Sequence, residues 1–362
     1  MAIKRAAKQI KYGIIRQNTS AAVTAFATGA SANSWTNPGL AATQYRTVLY
    51  NKGVVVPDPA VTVTDYGTSA QLGLNYETTN FYVDATSGLS KMNFSGVADK
   101  NTLAPHLIGA LQAVTEDTTP YEKDITSGFV AGTIDFKAGA GYLHSLAIYN
   151  GSSDDDGIIL ENAVIDNLSL TFDFIQKGVA RLVNMSGTWV GNEMNFDQTF
   201  TTPGNWASTT LTPFMNTDLY SFLTFTVDGV DWSGQCVRRM VLNINNNVTS
   251  NCATAGGKPN QYDFNPEYTW TVILDHNLTT EKVMGDFKAG GVVDINFGNA
   301  LYVAASDTDG QFGIDAPNCR ITGNPYSYNG DFLGYAIPIR AYQGTTVSPI
   351  SINLIDGLDW GY

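Results

Sequence analysis

The chain has 362 residues, enough for one large β domain or two ordinary ones with a full core. Its apolar share of 43% excludes a disordered polymer, while its charged share of 15% is well under the roughly 25% of an ordinary soluble domain. Net charge is −13, which excludes the body as a nucleic-acid binder, since that role needs clustered Lys and Arg.

The charge is unevenly spread. Residues 1–20 hold five bases and no acid: Lys4, Arg5, Lys8, Lys11 and Arg16. The other 342 residues carry 15 bases against 33 acids. This start is expected to act as an assembly arm lying on the acidic body of a neighbouring subunit. Its bases at 4, 8 and 11 fall on one helix side, with Ile3, Ile10 and Ile14 nearby. A loose terminus is the plain alternative. The start has no apolar segment of the secretory type, and no stretch approaches 18 apolar residues. The expectation is therefore a chain folded in a cytoplasm, with no membrane partner.

Strand signals then dominate in chain order. Residues 61–65, 73–80 and 129–136 are rich in β-branched and aromatic types between turn residues. A helix is predicted over 103–114 (LAPHLIGALQAV), with Leu103, Leu107, Ile108 and Leu111 on one side. Residues 142–149 lead into a Gly/Ser/Asp turn at 150–157. Residues 158–174 place Val164, Leu168, Leu170 and Phe172 on one strand face, and 178–190 is the expected hairpin partner, carrying Trp189. Further strands are predicted at 219–227, at 236–246 through Met240, Leu242 and Ile244, and at 267–275 through Tyr268, Trp270, Val272 and Leu274. Strands at 291–297, 300–305 and 332–342 complete the set, with a second short helix at 279–287. Strand spacings near ten residues indicate a mainly β sandwich or barrel with short flanking helices.

The pattern from Val164 to Phe172 lines up with that from Cys236 to Ile244, each followed by a turn and a strand bearing a Trp. This predicts a tandem duplication, with an arm at 1–20, a first β domain at 21–200 and a second at 201–362. One domain with insertions is the alternative.

Chemistry is not advertised. His106, His144 and His276 show no metal-ligand spacing, and no nucleophile elbow, Walker loop or dinucleotide fingerprint is present. Three cysteines (Cys236, Cys252 and Cys319) are too few for a disulfide framework. The acidic turns at 154–157 and 307–310 lack the calcium-loop pattern and read as hairpin turns. No catalytic, cofactor-binding or metal residue is assigned, and a non-enzymatic role is expected.

Residues 103–191 resemble the tail tube proteins of long-tailed phages. The pieces that carry the likeness are LIGALQAV, YEKDITSGFVAGTIDF, and ENAVIDNLSLTFDF followed by GVARLVNMSGTWVG. The runs SFLTFTVDGVDWSGQCVRRMVLNINNNV and EYTWTVILDH resemble later strands of the same family. The likeness spans roughly residues 75–299 and lies in strand patterning more than in fixed residues. It implies a tube-type β-sandwich in the virion tail, with six units per ring supplied by three duplicated copies or six single ones. The implied partners are further copies of the chain, a tape-measure protein, and the tail terminator and distal tail proteins, with DNA passing through an acidic bore unbound. A carbohydrate-binding or adhesive sandwich is the runner-up, given six Trp and 18 Tyr, and a hydrolase on a β scaffold is third.

Overall fold

In the computed structural model the described residues are 10–16, 45–51, 55, 57–60, 62–65, 81–84, 88–117, 122–131, 142–149, 157–174, 182–198, 206–207, 213–214, 224–227, 230–231, 237–250, 262–275, 290–298, 312–329, 332–345 and 347–355. Strands β1 (Lys11–Arg16), β2 (Tyr45–Val48) and β3 (Ser90–Val97) precede helix α1 (Leu103–Leu111), which runs straight into β4 (Gln112–Glu116) and β5 (Glu122–Ser127). Then come β6 (His144–Tyr149), β7 (Gly157–Asp173), β8 (Asn184–Gly191) and β9 (Glu193–Gln198). The later part supplies β10 (Val237–Asn245), β11 (Glu267–Asp275), β12 (Val292–Gly298), β13 (Phe312–Ile321), β14 (Phe332–Ala341) and β15 (Ser351–Ile355). Several shorter strands pair locally.

The protein is mainly β, as the alternation predicts. Its largest sheet is antiparallel throughout, in the order β3–β8–β7–β10–β11–β14. Period-two patterning turns every second residue inward: Met240, Leu242 and Ile244 on β10, and Tyr268, Trp270, Val272 and Leu274 on β11, are all buried. A second layer follows from β14 through β13, whose residues Gly313, Ile314 and Asp315 pair β12 on one edge and β15 on the other. β15 continues to β5 and then β4. The inward faces of the two layers meet through aromatic rings: Phe172 packs edge-on to Phe297 at 4.8 Å, and Phe297 packs edge-on to Trp270 at 5.9 Å. These contacts join residues from both sides of position 200 in one hydrophobic core.

A smaller sheet, β9–β7–β6–β1–β2, uses the first half of β7. β7 thus serves two sheets, and it changes direction at Asn162, where φ is +51° and the pairing with β6 slips between Leu160 and Ala163. Asparagine tolerates this left-handed region better than most residues with a Cβ.

α1 has all nine residues buried and no charged residue. Asp99 begins it: its carbonyl accepts from the Thr102 and Leu103 amides, and its Oδ1 accepts from the Asn101 amide. The helix stops at Leu111 rather than 114, because Gln112 adopts φ +67° and turns the chain into β4. Gln112 fixes that turn with its side chain, donating to Gly109 O at 2.8 Å and accepting from the Tyr142 amide at 2.9 Å.

Two further expectations change. Residues 128–131 form a 3-10 turn, not the start of a strand, and it begins at Gly128, where a Cβ would lie 2.8 Å from Gln112 O. Lys11–Arg16 is a strand with Tyr12, Ile14 and Ile15 buried, so the helical arrangement of bases does not extend through it. The two strands that carry the echo between the halves, β7 and β10, are neighbours in one sheet, with Leu168 opposite Ile244, Leu170 opposite Leu242 and Phe172 opposite Met240. Corresponding positions also carry register shifts, between Ile165 and Asn167 in β7 and between Val237 and Arg239 in β10. The two tryptophans are not equivalents, because Trp270 faces Leu242 whereas Leu170 faces Met185. The strands predicted at 73–80 and 300–305 and the helix at 279–287 lie outside the described residues.

Candidate functional site

The groups with chemical potential are mostly inside the core. His106 and His144 are both fully buried, and burial is the main cause lowering their pKa values, to about 4 and about 3. Both imidazoles are therefore neutral at ordinary pH. Cys319 is buried, and burial followed by the charges of Asp294 and Asp315 pushes its thiol up to about 12, which leaves it inert. Among the described residues, no cluster of His, Cys, Asp or Glu is arranged to hold a metal ion. Trp189 and Trp270 belong to the core, not to an exposed aromatic platform. His276, Cys236, Cys252 and both acidic turns lie outside the described residues.

Two outward sheet faces have distinct character. The first is the outer side of β3–β8–β7–β10–β11–β14. Its middle consists of Asn93 and Ser95 on β3, Ser186 and Thr188 on β8, Ser169 and Thr171 on β7, Asn243 on β10, and Thr269 and Thr271 on β11, with Val241 of β10 between Thr171 and Thr271. These follow from the period-two alternation with the buried residues between them. Thr188 Oγ1 donates to Asn93 Oδ1 at 2.8 Å, one cross-strand bond of the field. Charge enters at its margins as ion pairs: Arg239 with Asp173 at 2.8 Å and Arg340 with Glu267 at 3.1 Å. The face is broad, polar and close to neutral.

The second face, on the outer side of β5–β15–β13–β12, is acidic. A cavity of about 380 Å³ lies along it, bounded by Asp124 and Thr126 of β5, Ser351 and Asn353 of β15, Gly313 and Asp315 of β13, and Asn296 of β12. Gly313 forms an open floor, since a Cβ there would meet nothing within 4 Å. Asn353 Nδ2 bridges two carboxylates, donating to Glu122 Oε1 at 2.6 Å and Asp124 Oδ1 at 2.8 Å. Across the cavity the carboxyl pKa of Asp315 is raised, first by burial and then by the charge of Asp294, and a 3.4 Å bond from Asn296 opposes the shift. Asp294 is itself raised by burial. No Lys or Arg lines the cavity. The only base on β5, Lys123, points inward, where it pairs with Glu116 at 3.1 Å. That inward lysine leaves the outer carboxylates without a counter-charge on their own strand.

Of the five expected assembly residues, Lys4, Arg5 and Lys8 lie outside the described residues. Lys11 is exposed at the head of β1. Arg16 ends the strand with its guanidinium 5.2 Å from the Tyr142 ring centroid. The structure thus places Lys11 and Arg16 in the smaller sheet, away from the residues that line the acidic cavity. Sequence reasoning missed the cavity altogether. Its signal was present only as the alternation Glu122, Asp124, Thr126 against Lys123, Ile125, Ser127, in which a lysine occupies an inward position. In comparisons with known proteins, no family model and no curated protein matches the chain.

Proposed function

We propose that the chain is a structural subunit of a phage tail tube, six units of which close into a ring and stack into a hollow conduit. The observation that carries this reading is the outer face of β5–β15–β13–β12, whose cavity is lined by Asp124 and Asp315 and by no Lys or Arg, on a protein whose net charge is −13. Turned towards a bore, such a face repels the DNA phosphate backbone at every ring, and a repelled polymer slides without sticking. The broad neutral face, rich in hydroxyl and amide groups, suits contact with other protein surfaces, where unpaired charge is costly. The resemblance in residues 103–191 adds support, since the short apolar helix, the strand after it and the long hairpin occur here in the same order as α1, β5 and β7–β8. Partners on this reading are further copies of the chain, the tape-measure protein inside the tube, and the terminator and distal tail proteins at its ends. The adhesive-module alternative gains nothing from Trp189 and Trp270, which are both interior.

The test is negative-stain microscopy of the purified protein over a range of concentrations. Annular particles that stack into tubes are the expected result. Dispersed monomers at high concentration would overturn the reading.

A further inference from the structure

Four buried aromatic groups meet where α1 rests on the large sheet. Trp189 of β8 lies between two imidazoles, with its ring centroid 5.8 Å from that of His106 on α1 and 5.3 Å from that of His144 on β6. Tyr50, which bridges to Gly96 of β3, closes the group: its hydroxyl is 2.7 Å from His106 Nε2. A Cβ on Gly109 would lie 2.6 Å from the Trp189 ring, so helix and indole are in direct contact.

The hydrogen bonds around His106 fix its protonation state. Nδ1 lies 2.8 Å from Thr102 O, and a carbonyl only accepts, so Nδ1 carries the proton. Nε2 is then bare and accepts from the Tyr50 hydroxyl. A second proton, on Nε2, would face that hydroxyl donor-to-donor and force it to turn away. The neighbouring charges offer no relief. Arg16 of β1, paired in register with His144, acts on it unfavourably, as does His106. Glu161, the buried carboxylate of β7, is bonded by Asn195 at 3.0 Å and acts on Tyr45 of β2. Asp99 is engaged by the Asn101 amide at the start of α1. β8 bears no charged residue, and Lys91 of β3 is exposed on the far side of its strand.

We propose that Tyr50, His106, Trp189 and His144 form an acid-sensitive lock, which holds α1 on the β3–β8–β7 surface when both imidazoles are neutral and releases it on acidification. The sign follows from the geometry. The folded protein resists protonation of both histidines, with values of about 4 and about 3, against the ordinary 6.5; release of α1 frees His106 and relieves the burial of His144, while Arg16 stays beside His144 in register. Stability from the lock is complete above pH 6.5 and is lost as pH falls towards those lower values. Release takes up two protons, so the opening constant rises by up to about a hundredfold per pH unit between roughly pH 5.5 and 4.5.

The experiment is amide hydrogen exchange of the full chain from pH 7 to pH 4, corrected for intrinsic rates. The amides of residues 106–111 should lose protection before those of β10 and β11 as pH falls. Equal loss in both regions would overturn the proposal. The double variant His106→Phe, His144→Phe should abolish the steep pH dependence in α1, and a retained wild-type slope would overturn it. If that variant does not fold, His144→Phe alone should lower the slope by about half, and an unchanged slope is again fatal to the idea.

Discussion

Asn162 holds its backbone at φ +51° in the middle of a 17-residue strand, and two bonds keep it there. Its Nδ2 donates to Asn192 Oδ1 at 2.8 Å, and its carbonyl accepts from the Tyr262 hydroxyl at 2.6 Å. All three residues are buried, so none of these groups has water to fall back on. The kink lets one strand pair β6 and β9 before it and β8 and β10 after it. Asn162→Gly should keep the backbone conformation and lose only the side-chain bond, at a cost of about 1 kcal/mol. Asn162→Val should lose the bond and also force a β-branched residue into the left-handed region, for a total of about 3 kcal/mol. Chemical denaturation of the two variants measures the difference. Equal costs would mean that the kink does not depend on backbone conformation.

At the scale of elements, α1 sets intrinsic propensity against packing. Gly109 lies in the helix interior, where alanine is ordinarily better by about 1 kcal/mol. Its missing side chain, however, is the space the Trp189 ring fills, with ring carbons 2.6 and 2.7 Å from where a Cβ would stand. Gly109→Ala should therefore lower the melting temperature by several degrees, despite the gain in propensity. A rise would show that α1 can shift on the sheet without loss. The same contest explains what was legible in the sequence. β10 and β11 could be read because their inward residues are all apolar and strictly alternate. β5 could not be read from its residues alone, because its inward positions are Lys123, Ile125 and Ser127. The lysine is tolerated because Glu116 lies opposite it on β4. The end of α1 was misplaced by three residues, since Ala113 and Val114 continue the apolar helical pattern while Gln112 breaks it by backbone conformation alone. The acidic face stayed hidden for another reason: it joins residues 122–126, 296, 313–315 and 351–353, which only sheet pairing brings together.

For the whole molecule, the relation between β7 and β10 bears on how many copies make a ring. The repeated pattern of the two halves suggested a duplicated subunit, with three copies per ring. In the structure the matching strands are antiparallel neighbours, and Leu170 and Leu242 sit opposite each other at the centre of the match. Strands so placed are related by a local two-fold axis normal to their sheet. Units side by side around a tube are related instead by rotation about the tube axis, which keeps equivalent strands running in the same axial direction. β7 and β10 run in opposite directions, so they are not equivalent members of neighbouring ring units. The core is also shared across the expected boundary at 200, with Phe172 against Phe297 and Phe312. On the proposed tube reading, one chain supplies one unit and a six-unit ring takes six chains. Averaged end-on views of assembled particles should accordingly show six equal lobes, and native mass measurement of a single ring should give six chains. Rings of three chains would restore the duplication.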